Sequence, residues 1–464
     1  MKKYILTLVL LTTLLGGCTK SFIDLKPQSN VAVADFYQTK TDFLTAINGT
    51  YASLQSNAIY GNDYLTLTEN RADNVVDNFP STNGGLKYNI DQFLEGTTNT
   101  VPGNAWQAFY NTIYDSNVIL NRIGDVSFDD ATKKRIIGEA SFIRALCYFN
   151  LVRLFGKLPL VTTEITAADA KVLTRSDVSV VYNQIEADLK SAALNLPVSY
   201  TGADIGRATS GAAKAMLGKV YLTEKKYPQA ASILNDVITG NAYQLLSNYS
   251  DVFSTSNKNN AEIIFAVKFL KGGVGQGHPL WIQANGGIDS VVAPNLKKAY
   301  PVGDKRLSLV YSGKPSGTSI ICAVKFFDAI GTGNDAGNDF IVIRYADVLL
   351  MYAEALNEVA YDATGSNGAL SNLNKVRLRA KIPAYTLTDL PDQTTFRNAI
   401  YKERNLELAL EGDRWFDLIR TGNAITAMAA VGIKIQPYQL LYAVPQSEIS
   451  VINNPAIFPQ NPGY

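Results

Sequence analysis

The spacing of a few small and apolar residues between Gly206 and Ala242 constrains this chain more than any other feature. Leu217, Gly218 and Tyr221 are followed by Ala230, Leu234 and Val237, the offsets of a tetratricopeptide (TPR) type helix pair. A glycine at 218 lets two helices approach closely, Tyr221 fills the gap beside it, and Ala230, Leu234 and Val237 form the face that packs back. The same face recurs as Ala369, Leu373 and Val376 after an apolar helix predicted over 345–359. It recurs again as Ile185, Leu189 and Ala192, with Pro197 closing the unit. Residues 134–155, across an insertion, and 106–123 supply further predicted helices. Such units cannot bury their apolar faces alone and must stack on one another. The expected fold is therefore mainly α: a TPR-like helical-repeat scaffold, with helices over about 104–242 and 344–420, long irregular loop insertions and a few short β-strands.

Two stretches break the helical period. Residues 60–104 are rich in Asn, and residues 271–339 are studded with Gly and Pro, flanked by the strand-like runs 262–267 and 340–343. Loops of this length inside a compact protein are usually functional, and variable loops on a rigid scaffold are a common way to build a site. Within the helices, the stretch 134–155 is apolar nearly all round, so its Glu139, Arg144 and Arg153 need partners. The segment 402–415 is the expected source. Glu403, Glu407 and Glu411 share one face of it at i, i+4 spacing and read as structural ion pairs, not as general acid–base groups.

At the start, Lys2 and Lys3 precede an apolar run too short to cross a ~30 Å bilayer, ending in Gly16-Gly17-Cys18. Residues 1–17 read as a signal peptide. Small residues directly before Cys18 resemble a bacterial lipobox, which implies cleavage there and a lipid on Cys18; an ordinary signal peptide with a cysteine nearby is the alternative. Two or more acyl chains anchor a protein stably to a membrane surface. The 42 Lys and Arg against 41 Asp and Glu speak against nucleic acid as partner, which needs a basic excess. One histidine, His278, rules out a multi-His metal centre and leaves little room for Ser-His-Asp chemistry. Two cysteines beyond Cys18 make no disulfide framework, and Cys147 reads as a small core side chain.

Several segments together carry a family resemblance. Gly138-Glu139-Ala140-Ser141-Phe142-Ile143-Arg144-Ala145 continues through Tyr148-Phe149-Asn150 to Phe155-Gly156. Arg344-Tyr345-Ala346-Asp347 runs into Ala353-Glu354-Ala355. Glu403-Arg404 leads to Glu411-Gly412-Asp413-Arg414-Trp415, and the chain ends Asn461-Pro462-Gly463-Tyr464. This set resembles SusD/RagB-type nutrient-binding lipoproteins over essentially the whole mature chain. Cys147 and Asn405 depart from it, standing where an aromatic and a basic residue are commoner. The resemblance implies a single SusD-like domain over 18–464, with an N-terminal half over 18–205 and a C-terminal half over 206–464. It also implies a lipoprotein of the outer membrane, exposed at the cell surface, that binds glycan, or sometimes peptide, and hands it without catalysis to a SusC-like TonB-dependent transporter. No cofactor or metal is expected. The residues after Cys18 lack the acidic run often linked to surface export.

A neutral sugar receptor needs flat rings for C–H faces and short amides or carboxylates for hydroxyls. Both insertions supply them. In the first, Asp63, Tyr64, Asn78, Phe79 and Tyr88 are the candidates; in the second, His278, Trp281, Asn285 and Tyr300, with Trp281 foremost. Trp106 and Trp415 sit in predicted helices and read as core. Gly273–Gly277 is followed by His278-Pro279 and no helix, so it lacks the mechanism of a phosphate loop. The run 334–339 lacks the spacing of a Ca²⁺ loop and reads as a turn. A TPR-type scaffold holding a protein or peptide is the alternative function. A glycoside hydrolase, needing two carboxyls roughly 5–9.5 Å apart in a cleft, comes third.

Overall fold

The computed structural model describes residues 36–279, 290–311, 325, 326, 328 and 335–464. The leader, Cys18, Trp281 and Asn285 therefore lie outside the described residues. Helix α1 (Lys40–Ser53) opens on a capping box, with the Thr39 hydroxyl accepting from the Asp42 N–H and the Asp42 carboxylate accepting from the Thr39 N–H. The main helices continue as α2 (Thr100–Arg122), α3 (Asp130–Phe155), α4 (Val178–Asn195), α5 (Ser210–Thr223), α6 (Tyr227–Thr239), α7 (Tyr345–Val359), α8 (Ala369–Arg379), α9 (Gln393–Glu407), α10 (Arg414–Arg420) and α11 (Ala424–Ala430).

From α1 to α8 each helix packs mainly on its neighbour in this order, with α6 directly on α7 across the long insertion; α9 turns back to pack mainly on α7, and α10 packs on the turn at 66–70 and on α11. The α5–α6 contact explains Gly218: a Cβ added there would lie 2.4 Å from Cδ2 of the fully buried Leu234. Trp106, Trp415 and Cys147 are buried in the core. Among the described residues no helix is long and apolar enough to cross a membrane.

The charges of α3 find other partners than the sequence suggests. Arg144 forks onto Asp188 of the adjacent α4, at 2.6 and 2.8 Å. Glu139 accepts from the Tyr200 hydroxyl at 3.2 Å and pairs with Arg207. Only Arg153 reaches α10, and it does so through its flat face, 3.7 Å above the Phe416 ring centre. The neighbouring helix and the α4–α5 connection lie closer than the segment 402–415, so they take the charges.

Glu403, Glu407 and Glu411 are structural, but they do not share one helix. Helix α9 ends at Glu407, and Leu410 at φ +68° turns the chain so that Glu411 comes back to the same cluster. There Arg306, Lys325, Arg344, Arg377 and Arg379 meet Glu262, Asp304, Glu403, Glu407 and Glu411. Five cations face five anions, all of them under a tenth exposed, which is how a charged cluster can be tolerated inside.

Two short ladders organise the insertions. Strands β2 (Ile263–Val267) and β4 (Phe340–Arg344) are antiparallel, pairing Val267 with Phe340, so the second insertion leaves and rejoins the scaffold at one point. Within it, β3 (Ser290–Val292) crosses to β1 (Val75–Asp77) of the first insertion, with Val75 opposite Val292 and Asp77 opposite Ser290. The two interruptions of the helical pattern are thereby tied together.

Candidate ligand-binding site

The site is built around the exit of β1. Asp77 is buried, and its Oδ1 accepts the Phe79 N–H at 2.8 Å, which fixes a tight turn. Asn78 and Phe79 are thereby held out in solvent, Phe79 with 38% of its surface exposed. The loop closes at Gly85, which has φ +74°; a Cβ there would meet the Pro80 carbonyl oxygen at 2.6 Å, so only glycine fits. A helical turn over Leu86–Asp91 follows and carries Tyr88, half-buried. Asp63 is half-buried, and its carboxyl is pushed up to about 6 by burial, against the Asn62 amide and the nearby Lys87 ammonium. Asn78 and Phe79 sit on this loop and Tyr88 on the turn that follows it, whereas Asp63 lies on a separate short helical turn near Lys87.

Beneath the loop lies a buried carboxyl, Asp91. Burial pushes it up to about 7 against hydrogen bonds from the Gln92 side chain and the Asp77 backbone, and the Asp77 carboxylate adds to the rise. Neither Asp91 nor Gly85 carries a local sequence signal for this role beyond the Gly84-Gly85 pair. Between the ordinary carboxyl value near 4 and about 7 the native state keeps a proton that the unfolded chain loses, so stability falls as pH rises through that window. Asp91→Asn should therefore gain about 1–2 kcal/mol over the natural protein at pH 8 and little at pH 4, read by denaturant unfolding at both values. Equal differences at the two pH values would contradict the buried, proton-holding carboxyl.

Three candidates are corrected. Tyr64 is buried against Tyr60, Phe340 and Phe416, with ring centres 4.9, 5.6 and 6.4 Å away. Its segment coils into short helical turns over residues 57–70 that lie on α2, which points the ring inward. Tyr300 is buried because its hydroxyl donates to the Leu406 carbonyl at 2.8 Å, bracing the end of α9. His278 is buried edge-on against Phe269, its backbone paired with Ala336. Burial holds its imidazole down at about 4, against a hydrogen bond to the Tyr60 backbone. Since the chain has one histidine, a single NMR titration tests this. The ring resonance should stay unshifted from pH 7.5 to 5, whereas a midpoint near 6.5 would put the ring in solvent.

The two rejected motifs are explained by the same loops. The Gly272 and Gly273 N–H groups both donate to Asp335 at 2.9 Å, so a carboxylate of the chain itself occupies that cradle. Asp339 is taken by Lys258, Lys268 and the Phe269 N–H. Among the described residues no group of three or more His, Cys, Asp or Glu could hold a metal ion.

A helical-repeat scaffold whose two insertions are knitted into one loop platform bearing an exposed ring defines a class of design: rigid frame, polar–aromatic surface. Comparison with known proteins agrees with it. The model of the SusD family matches residues 312–464, and a model described as "Starch-binding associating with outer membrane" matches residues 21–222. The SusD-like protein P25 of Formosa agariphila is 29% identical, over 94% of each chain. A solved structure, a laminarin binding SusD-like protein, is 29% identical with a TM-score of 0.78, covering 92% of this chain and all of that one. The surface glycan-binding protein A from Bacteroides fluxus, 22% identical, shares the fold at a TM-score of 0.80 over 92% of this chain and all of that one. The chain belongs to the SusD family.

Proposed function

We propose that this protein binds oligosaccharide or polysaccharide at the outer membrane and passes it, uncut, to a SusC-like TonB-dependent transporter. The observation that carries the reading is the exposed Phe79 ring, beside Asn78 on a loop that β1 and Gly85 hold rigid, with Tyr88 on the turn that follows. A ring held out of the core on a braced loop costs apolar exposure and makes sense as a stacking platform for sugar faces. The laminarin-binding relative and the starch-binding family description support the same ligand class. The family description also supports association with the outer membrane, and the lipid anchor is proposed at Cys18 with the protein outward-facing. The ion-paired carboxylates support a binding rather than a hydrolytic role, because Glu403, Glu407 and Glu411 are each engaged by cations. Trp281 and Asn285 remain proposed ligand contacts on the sequence argument alone.

Affinity electrophoresis of the mature chain on a panel of polysaccharides tests this. At least one glycan should retard the protein, with micromolar or weaker affinity and no reducing sugar released. Release of reducing ends would point to an enzyme, and capture of peptides with no glycan retardation would point to the peptide scaffold.

A further inference from the structure

Away from the loop platform, two clefts of equal size, about 390 Å³ each, open on the scaffold. That volume is within the range of small-molecule sites, and the two differ in what their polar groups are doing. In the cleft between α1 and β2 most are already spent. Asn48 accepts from Arg207, the Gln55 amide donates to the Lys268 carbonyl, the Tyr51 hydroxyl accepts the Ala208 N–H, and Lys268 is ion-paired with Asp339. That cleft is a seam of the fold.

The other cleft lies between α9, α10 and α11 and is different. Asn398, Tyr401, Lys402 and Thr426 line it, and none of these side chains has a hydrogen-bond or ion-pair partner among the described residues. Asn405 spends only its oxygen, which accepts from the Asn74 amide at 2.9 Å, leaving its NH₂ group unspent. The floor is apolar, made by Leu418 and Ala427. The charged walls are neutralised within the protein: Arg414 forks onto Asp73 at 2.7 and 2.8 Å, and Asp417 is held by Arg404 and Arg420. The result is a small concave surface with an aromatic ring, an apolar floor and five unspent polar ends, without net acidic charge. Those are the components a sugar ring needs.

We propose that this cleft is a second carbohydrate site, taking one or two sugar rings. The ligand class rests on the glycan reading above; the place does not. The cleft meets the first insertion through Asn74, bonded to Asn405, and Asp73, bonded to Arg414, both at the opposite end of β1 from Phe79. Asn405, which stands where the family more often has a basic residue, is what keeps its inner wall uncharged.

The test is saturation-transfer NMR on the mature chain with glucose, galactose, mannose, xylose, glucuronate and cellobiose as probes. The natural protein, Phe79→Ala and Thr426→Trp are compared, and polysaccharide retardation is measured on all three. Thr426 is exposed, so an indole there should fill the cleft without disturbing the core. At least one probe should show transfer that survives Phe79→Ala and falls at least fivefold in Thr426→Trp. Asn398→Ala, also at an exposed position, should lower it two- to threefold, which covers the case of a misfolded Thr426→Trp. Polysaccharide retardation without transfer from any probe in Phe79→Ala would overturn the second site and leave the main reading standing. Transfer confined to the cleft with no polysaccharide retardation would do the reverse. Transfer that Thr426→Trp and Asn398→Ala both leave unchanged would place the sugar elsewhere and overturn the cleft.

Discussion

Glu407→Ala is expected to prevent the protein from folding at all. The carboxylate receives Arg344 and Arg379 on one oxygen and Arg306, at 3.0 Å, on the other. Burial alone would push this carboxyl up, but Arg379, Arg344 and Arg306 together hold it well below the usual range. Removing it leaves five buried cations facing four anions: Arg306 keeps Asp304 and Glu403, Arg344 keeps Glu262 and Glu411, and Arg379 keeps Glu262, but all three lose the carboxylate they share, and breaking even one buried pair costs about 3–5 kcal/mol. A domain's whole stability is about 5–15 kcal/mol, so loss of soluble protein is the expected result, seen as disappearance from the soluble fraction. Glu407→Gln keeps the shape and two acceptor lone pairs and should cost less, roughly 3 kcal/mol, leaving folded but less stable protein. A Glu407→Ala variant that melts within a few degrees of the natural protein would show that the charged cluster does not hold the fold together. The depressed carboxyl contributes stability that is present above about pH 4 and lost as pH falls below it.

Phe79→Ala is expected to have the opposite signature, a large effect on binding with almost none on stability. The ring is outside the core, and its loop is held by backbone contacts to Asp77 and by the Gly85–Pro80 approach, neither of which needs the phenyl group. Stacking on a sugar face is worth about 1 kcal/mol beyond its buried area, and the area itself contributes about as much again. The sum of ~2 kcal/mol corresponds to a loss of affinity of roughly 30-fold. Isothermal titration with the best-retained oligosaccharide, together with a melting curve within about 2 °C of the natural protein, is the check. Unchanged affinity would remove Phe79 from the site, and a drop in melting temperature of ten degrees would make the ring structural.

What could be read from the residues alone follows a physical line. Gly218 and Leu234 were legible because a close helix crossing demands a missing side chain at one spacing, and local spacing is visible in a sequence. The structural role of Glu403 and Glu407 was legible because the apolar stretch 134–155 holds charges that need partners, and 402–415 is rich in opposite charges. The identity of their partners was not, since Arg306, Arg344 and Arg379 reach them from segments far apart in the chain. Tyr64, His278 and Tyr300 were misread for a related reason: an aromatic ring in an irregular segment carries no period to say which way it faces. Short helical turns at 57–70 and a backbone bridge at His278 turned the rings inward. The three-residue pairing of β1 with β3 is too short to show alternation, yet it is what brings the two insertions together. The cleft beside α11 escaped because its lining residues lie on helices that otherwise read as scaffold. Only the unusual Asn405 hinted at it.

A structure of the protein with a bound oligosaccharide tests the central claim most directly. A sugar ring stacked on Phe79, with Asn78, Tyr88 or Asp63 within hydrogen-bond or van der Waals reach, is the result expected. An oligosaccharide held only elsewhere on the molecule, with Phe79 still facing solvent, would contradict it.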